Sequence, residues 1–221
     1  MFVNPMSTIA LIPCFNEEKH IASVVTHTKK YVDTVIVVDD GSNDHTTTAA
    51  KNADYVLRHI INLGKGADMK TGMQKAIELN AEIVIIIDGD GQHDSKDIPR
   101  FLEAIKECDI VVGQREFNNN MPLVFRLGNW GLHYLFSHLF HSTVVDTQSG
   151  FRAIRASILP KIQWSSDGYA VETEMLAHAG RNHLRLTEIP IKTVYHDTVK
   201  GTTIIDGIKI GVNMLKWRLG W

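Results

Sequence analysis

The sequence feature that most constrains the fold is an uninterrupted apolar run at residues 83–87, followed by Asp88 and Asp90. Branched apolar residues without polar alternation are typical of a strand buried on both faces, as in the middle of a parallel sheet. In open α/β sheets, ligands bind beyond the carboxyl ends of the strands, which is where the two acids lie. Carboxylates there suit Mg²⁺ or Mn²⁺, but Asp is also an ordinary turn residue, so the spacing alone leaves both interpretations open.

Other parts of the chain alternate between strand and helix patterns. Residues 8–12, 34–38, 54–58 and 109–113 have patterns typical of strands. The stretch at 34–38 runs into two acids and a glycine, so a strand followed by an acidic loop occurs twice. This alternation predicts an α/β fold with a doubly wound, mostly parallel sheet flanked by helices.

Two basic residues are expected at the same edge of the sheet. Lys65 lies in a glycine-rich stretch, residues 62–66, which leads into a predicted helix at residues 67–80. The stretch lacks the spacing of a Walker loop, so Lys65 is interpreted either as a cation near a phosphate at a helix N-terminus or as part of a flexible glycine turn. Arg115 follows the strand at 109–113 and lies at the same edge.

Two further positions have local interpretations. Asn16 follows the first strand and is expected either to cap the next helix or to face a nucleotide. Residues 188–191 contain Pro190, which cannot donate to a β-ladder, and they predict an edge strand.

The C-terminal part of the chain has the composition of a membrane-surface segment. Residues 181–221 carry a net charge of +4, and the remaining residues carry −6. Residues 204–221 predict an amphipathic helix with two tryptophans and basic residues, as in interfacial helices, although a solvated basic face is the alternative. The predicted organisation is therefore one domain at residues 1–203 followed by this helix.

A second apolar helix is predicted at residues 122–141, where Arg126, His133 and His138 interrupt the apolar pattern. These residues make it too polar to span a bilayer comfortably. It is expected either in the core or on a membrane surface. No transmembrane helix and no signal peptide are predicted.

Composition excludes several classes of function. The net charge of −2 gives no sign of a nucleic-acid partner. Cys14 and Cys108 lie far apart among apolar neighbours, which favours reduced thiols in a cytoplasmic protein. No Gly-x-Gly-x-x-Gly follows the first strand, which argues against a dinucleotide oxidoreductase.

Six stretches match the motifs of one family, in that family's order. They are Pro13-Cys14-Phe15-Asn16-Glu17-Glu18, residues 38–46, Asn62-Leu63-Gly64-Lys65-Gly66, Asp88-Gly89-Asp90-Gly91-Gln92-His93, Gly113-Gln114-Arg115 and Asp146-Thr147-Gln148-Ser149-Gly150-Phe151-Arg152. With these stretches the chain resembles the family 2 glycosyltransferases of GT-A fold. More narrowly, it is similar to the branch of dolichol-phosphate mannosyltransferases and polyprenyl-phosphate glycosyltransferases.

The resemblance implies roles for the matching positions. The residues implied to bind the nucleotide-sugar are Pro13, Asn16, Glu17, Asp39, Lys65, Asp88 and Gly89. The implied metal ligands are Asp88, Asp90 and Gln92, and the implied catalytic residues are Asp90, Arg115 and Asp146. The residues implied to bind the acceptor phosphate are Arg115, Arg126, Arg152 and Lys200. Many family members have an arginine shortly after the strand at 188–191, and Lys200 is assigned that charge here.

The activity implied is inverting transfer of a sugar, with mannose or glucose favoured, from a GDP- or UDP-sugar to a polyprenyl or dolichyl phosphate. The cofactor implied is Mg²⁺ or Mn²⁺. The enzyme is expected to be cytoplasmic and peripherally bound to the cytoplasmic face of the membrane. A phosphate acceptor is already an anion at neutral pH, so it needs cations more than a base.

Two alternatives remain open at this point. The first is an enzyme of the same family with a hydroxyl acceptor, in which Asp146 or Glu174 would have to be the general base. The second is a nucleotide-sugar-binding module without turnover.

Overall fold

The computed structural model describes residues 6–115, 123–140, 144–168, 170–194 and 204–219. The strands are β1 (Thr8–Cys14), β2 (Thr34–Asp39), β3 (Tyr55–Arg58), β4 (Ile83–Ile86), β5 (Ile110–Arg115), β6 (Arg152–Arg155) and β7 (Leu186–Ile191). They form one sheet in the order β3-β2-β1-β4-β6-β5-β7. Every neighbouring pair is parallel except the two that include β6. The mostly parallel sheet predicted from the sequence is therefore confirmed.

Helices cover both faces of the sheet. They are α1 (Ile21–Thr28), α2 (Thr46–Ala49), α3 (Lys65–Glu78), α4 (Ile98–Ala104), α5 (Leu123–Phe140), α6 (Val171–Arg181) and α7 (Ile204–Leu219). Two 3-10 segments, Ser95–Asp97 and Ala156–Lys161, complete the described helical structure.

The central strand β4 is buried on both faces, as its uninterrupted apolar run predicts. Successive side chains of a strand point to opposite faces. Val84 and Ile86 pack into the core that includes residues of α3, α5, α6 and α7, whereas Ile83 and Ile85 pack into the core under α1 and α4. Both faces of β4 are buried. The polar side chains Asp88 and Asp90 therefore follow the strand at its carboxyl end.

The parallel strands bring several loops to one edge. Cys14 at the end of β1 pairs with Asp39 at the end of β2, and the amide of Gly89 after β4 donates to Pro13 O. β6 is antiparallel to both β4 and β5, so β5 runs in the same direction as β4 and delivers Arg115 to this edge. The expected meeting of acidic loops and Arg115 at one edge follows from this topology.

Strand β6 has no counterpart among the strands predicted from the sequence. It has only four residues, Arg-Ala-Ile-Arg, and its apolar pair is too short to give a strand signal. By contrast, β7 lies at an edge of the sheet, as Pro190 predicts.

Helix α7 packs against α5 and α6. Its residues Ile210, Met214 and Trp217 are buried in the core, and Arg181 of α6 donates a hydrogen bond to Trp217 O at 2.9 Å. Among the helices within the described ranges, none combines the length and apolar character needed to cross a membrane.

Candidate active site

A cavity of about 410 Å³ opens at the carboxyl edge of the sheet. Most of the residues that the sequence implicates in donor or metal binding line it: Pro13, Asn16, Glu17, Lys65, Asp88, Gly89, Asp90, Gln92 and Arg115. Asp39, Asp146 and Arg152 are not among its lining residues. The Arg126 side chain and Lys200 fall outside the part of the chain that the structure describes.

Asp88 is held in place through both carboxylate oxygens. Its Oδ1 accepts a hydrogen bond from Lys65 Nζ at 2.6 Å, and its Oδ2 lies 3.8 Å from His93 Nε2. A Cβ atom added at Gly150 would lie 2.1 Å from Oδ2, so the carboxylate rests directly on the backbone there. Burial alone would raise the pKa of Asp88, but attraction to Lys65 and His93 lowers it below its ordinary value.

Asp90 has the opposite electrostatic environment. Its Oδ1 accepts the backbone N–H of Gln92 at 2.9 Å. Burial, together with repulsion from Asp88, raises the pKa of Asp90 above its ordinary value. A divalent cation between the two carboxylates would favour the charged form of both.

Lys65 is the first residue of α3, and two flanking glycines allow the chain to pass close to its neighbours. A Cβ atom at Gly64 would lie 2.3 Å from Asp167 O, and one at Gly66 would lie 1.9 Å from Ser166 O. The sequence predicts a bound phosphate beside Lys65. In the structure its ammonium group contacts Asp88 and also Glu172 Oε1, at 2.6 Å.

Glu172 is a cavity residue that the sequence-based set of site residues omits. It lies in the first turn of α6, where a carboxylate also interacts favourably with the helix dipole. Its position is fixed through its backbone, because Glu172 O accepts a hydrogen bond from Arg152 Nη1 at 2.7 Å. Glu172 Oε2 is buried and has no hydrogen-bond partner within the described residues.

Arg115 and Asp146 form a two-bond ion pair. Arg115 Nε donates to Asp146 Oδ2 at 2.7 Å, and Arg115 Nη2 donates to Asp146 Oδ1 at 2.9 Å. Asp146 is buried, and its own amide and that of Val145 donate to Glu188 Oε1, both at 2.9 Å. Asp146 therefore orients Arg115 at the cavity wall.

The resemblance implies that Arg152 binds the acceptor phosphate, but in the structure its guanidinium is bonded to the backbone of the protein itself. The side chain is fully buried, and its guanidinium donates to the carbonyl oxygens of Ser149, Thr147 and Glu172 at 2.9, 2.9 and 2.7 Å. Burial lowers its pKa to about 10 despite the attraction of nearby acids. Arg152 thus fixes the backbone of the Asp146–Arg152 segment and the start of α6.

Asp39 and Asn16 support the loops of the site. Asp39 is fully buried, its Oδ1 accepts the amide of Ser42 at 2.9 Å, and its Oδ2 accepts the hydroxyl of Thr47. The following residue, Asp40, lines the cavity in its place. Asn16 does not cap α1, which begins at Ile21. Instead, Asn16 Oδ1 accepts the amide of Asn43 at 2.9 Å.

A second group of possible metal ligands consists of Asp40, His59 and Asp68. His59 Nδ1 lies 2.9 Å from Asp40 Oδ1 and 3.2 Å from Asp68 Oδ1, while His59 Nε2 lies 2.9 Å from Thr71 Oγ1. Burial and repulsion from Asp40 and Asp39 raise the pKa of Asp68 to about 8. No local motif in the sequence indicates this group, because its members come from three separate parts of the chain.

The chain matches the family described as Glycosyl transferase family 2 over residues 9–163. It is 35% identical to the UDP-N-acetylglucosamine–dolichyl-phosphate N-acetylglucosaminyltransferase of Methanococcus voltae, with 95% of each protein covered. It is 28% identical to the undecaprenyl-phosphate mannosyltransferase of Micrococcus luteus, with 97% of this chain and 95% of that protein covered.

Among solved structures, the fold is similar to that of glucosyl-3-phosphoglycerate synthase from Mycobacterium tuberculosis in complex with Mn²⁺, UDP-glucose and phosphoglyceric acid. The TM-score is 0.76, and the match covers 97% of this chain and 80% of the synthase. The sequence identity is 19%, so this similarity concerns the fold.

Proposed function

The chain belongs to glycosyl transferase family 2 and has the GT-A fold, and from this premise we propose that it transfers a sugar from a nucleotide-sugar to a polyprenyl or dolichyl phosphate, with inversion at the anomeric carbon. The observation that carries the proposal is the meeting of Asp88, Asp90, Lys65 and Arg115 in one cavity. The names of the two relatives, both transferases to a lipid phosphate, support the acceptor class.

The charge of the cavity supports a divalent cation as the cofactor. Among the described residues, its lining includes six acids, Glu17, Asp40, Asp68, Asp88, Asp90 and Glu172, and two basic side chains, Lys65 and Arg115. An anionic diphosphate would be repelled by such a surface unless a cation came with it. Asp88 and Asp90, with Gln92, are oxygen donors of the kind that Mg²⁺ and Mn²⁺ prefer, and they would hold the ion. When bound, the ion would offset the charge that develops on the leaving nucleoside diphosphate.

The hydrogen bonds of the two candidate bases, Asp146 and Glu174, support a phosphate acceptor over a hydroxyl acceptor. Asp146 is engaged by Arg115 in a two-bond pair, which leaves it poorly placed to accept a proton. Glu174 accepts hydrogen bonds from the amides of Ser165 and Ser166. Burial would raise the pKa of Glu174, but hydrogen bonds from His178, Ser166 and Ser165 lower it to about 2. An acceptor that is already ionised needs neither residue as a base.

The candidate donor sugars come from the sequence resemblance and from the names of the relatives. Mannose and glucose are favoured by the sequence resemblance, and the Micrococcus relative is named for mannose. The Methanococcus relative is named for N-acetylglucosamine carried by UDP. The donors to compare are therefore GDP-mannose, UDP-glucose and UDP-N-acetylglucosamine.

The outer surfaces of α5 and α7 support binding at a membrane surface. On α5, Trp130 and Tyr134 are 66% and 64% exposed, and their rings stack with centroids 5.9 Å apart. On α7, Leu215 and Leu219 are exposed beside exposed basic residues. Exposed aromatic and aliphatic side chains together with lysine and arginine are typical of interfacial helices. Such a location would bring the active site to a lipid-linked acceptor.

The test is transfer of radiolabelled sugar from each donor, with Mn²⁺, to added polyprenyl phosphate. The proposal predicts label in the organic phase that depends on both the lipid phosphate and the metal, and that falls sharply in Asp90→Asn. Label that remains in the aqueous phase on a hydroxyl compound would favour the family alternative with a hydroxyl acceptor. Donor binding without consumption would favour a module without turnover.

A further inference from the structure

Lys65 lies between two acids of the cavity. Its Nζ is 2.6 Å from Asp88 Oδ1 and 2.6 Å from Glu172 Oε1. Two carboxylates at hydrogen-bond distance favour the charged form of the ammonium group. Lys65 therefore places a positive charge next to both carboxylates.

Both carboxylate oxygens of Asp88 have close neighbours among the described residues. Lys65 occupies Oδ1, and Oδ2 faces the Gly150 backbone, where an added Cβ atom would lie 2.1 Å away. A divalent ion bound to Asp88 would come within a few ångströms of the ammonium group, and the two positive charges would repel each other strongly in a site shielded from water. This repulsion favours the departure of Lys65 from Asp88 when an ion binds there.

Glu172 would keep Lys65 in the cavity after that exchange. Glu172 is 3% exposed, and its backbone is anchored to Arg152, so its carboxylate is poorly placed to follow a moving partner. A lysine has a flexible stem and three N–H donors. The ammonium group can thus remain bonded to Glu172 while it turns a donor from Asp88 towards a phosphate oxygen.

We propose that Lys65 is the resident counter-ion of Asp88 and yields this position to the divalent ion when a nucleoside diphosphate arrives to accept its charge. The inference rests on the proposed function. It adds that the binding of the metal and the binding of the nucleotide are coupled. Metal and nucleotide bind synergistically, since each relieves the repulsion that the other would meet. By linkage, the factor by which nucleotide tightens metal binding equals the factor by which metal tightens nucleotide binding.

The test is calorimetric titration of Mn²⁺ alone, of UDP or GDP alone, and of each nucleotide in the presence of Mn²⁺. The proteins are the wild type, Lys65→Met and the control Lys70→Met, which removes the same charge from an exposed position of α3. In Lys65→Met we expect Mn²⁺ alone to bind at least about tenfold more tightly, while nucleotide binding with Mn²⁺ weakens and most of the coupling is lost. Lys70→Met should behave as the wild type.

In Lys65→Met the affinity for Mn²⁺ should rise while the affinity for nucleotide falls. A general loss of structure would lower both affinities. If Lys65→Met binds Mn²⁺ no more tightly than the wild type, while the wild type binds Mn²⁺ and nucleotide together, the exchange is wrong and the proposed function stands. If the wild type binds no nucleotide even with Mn²⁺, the proposed function fails and the exchange fails with it.

A second pair of variants covers the case in which Lys65→Met does not fold. Glu172→Gln keeps the shape of the side chain but leaves Lys65 with Asp88 alone, so Mn²⁺ alone should bind several-fold more weakly and the coupling should change. Glu78→Gln removes the same charge from an exposed position of α3, outside the cavity lining, and should leave both quantities unchanged. Equal behaviour of the two variants would overturn the proposal.

Discussion

The guanidinium of Arg115 and the carboxylate of Asp146 meet in a fork of two hydrogen bonds, 2.7 and 2.9 Å long. Lysine cannot reproduce such a fork, and asparagine offers it only one acceptor oxygen. We therefore expect Arg115→Lys and Asp146→Asn each to lower kcat/KM by about 10²–10³-fold, as for one lost electrostatic stabiliser.

The losses of kcat/KM caused by the two substitutions should not be additive in the double variant, because both substitutions break the same contact. The measurement is a double-mutant cycle on transfer to polyprenyl phosphate. Additive losses would mean that Asp146 acts independently of Arg115, for example as a base.

Gly150 leaves room for the carboxylate of Asp88, which is proposed to bind the metal. A Cβ atom there would lie 2.1 Å from Asp88 Oδ2, so Gly150→Ala should displace Asp88 and weaken Mn²⁺ binding in the presence of nucleotide by at least about tenfold. The control is Gly131→Ala, where an added Cβ atom meets nothing within 4 Å. Calorimetry of both variants checks the expectation, and equal Mn²⁺ affinities would show that Asp88 can shift without cost.

The buried acid Asp68 should make stability depend on pH. Its folded-state pKa is about 8, against an ordinary value of 3.8, so the folded state holds a proton that the unfolded state has lost in this range. The free energy of unfolding should therefore fall as pH rises from about 4 to about 8, and stay low above that.

The comparison for this prediction is Asp68→Asn, which cannot lose a proton. Relative to that variant, the wild type should lose at least about 1 kcal/mol between about pH 5 and about pH 9. Urea unfolding in buffer with a chelator measures it. Parallel pH profiles of the two proteins would contradict the shift.

Two groups of side chains are candidates for the metal site. Asp88 and Asp90 line the cavity proposed for the diphosphate. Asp40, His59 and Asp68 form a separate group, of which Asp40 and Asp68 line the same cavity. If the first set holds the ion that carries the donor, Asp90→Asn should abolish the Mn²⁺ whose affinity rises with nucleotide, and Asp68→Asn should retain it. Mn²⁺ binding followed by electron paramagnetic resonance would decide, and the reverse pattern would transfer the role to the second set.

The exposed aromatic residues of α5 should contribute to membrane binding. Replacing both Trp130 and Tyr134 by alanine should reduce co-sedimentation with vesicles that contain anionic lipid, with little effect on transfer to a detergent-dispersed acceptor. Ile77→Ala, which alters an exposed apolar residue of α3, is the matched control. Unchanged vesicle binding of the α5 variant would remove this surface from the membrane-binding proposal.

The sequence predicted the parallel strands well, because burial on both faces leaves an uninterrupted apolar run, as in β4. It also brought Asp88, Asp90 and Arg115 to one edge, since parallel strands end together. It missed β6, whose apolar pair is too short to give a signal.

The direction in which a charged side chain points is harder to predict from the sequence than the position of a strand. A motif indicates which residues are close to a site but not which of them face it. Arg152 was assigned to a ligand, yet its guanidinium is used by three backbone carbonyls. Glu172 and the group around His59 depend on contacts between distant segments, which no local spacing encodes.

The most direct test of the central claim is a crystal structure with Mn²⁺ and UDP or GDP, with the ion located by its anomalous scattering. The account predicts one Mn²⁺ bound to Asp88 and Asp90 and to the diphosphate, with Lys65 turned from Asp88 to a phosphate oxygen. A nucleotide bound elsewhere, or an ion that leaves Asp88 and Asp90 unliganded while the diphosphate is in the cavity, would contradict it.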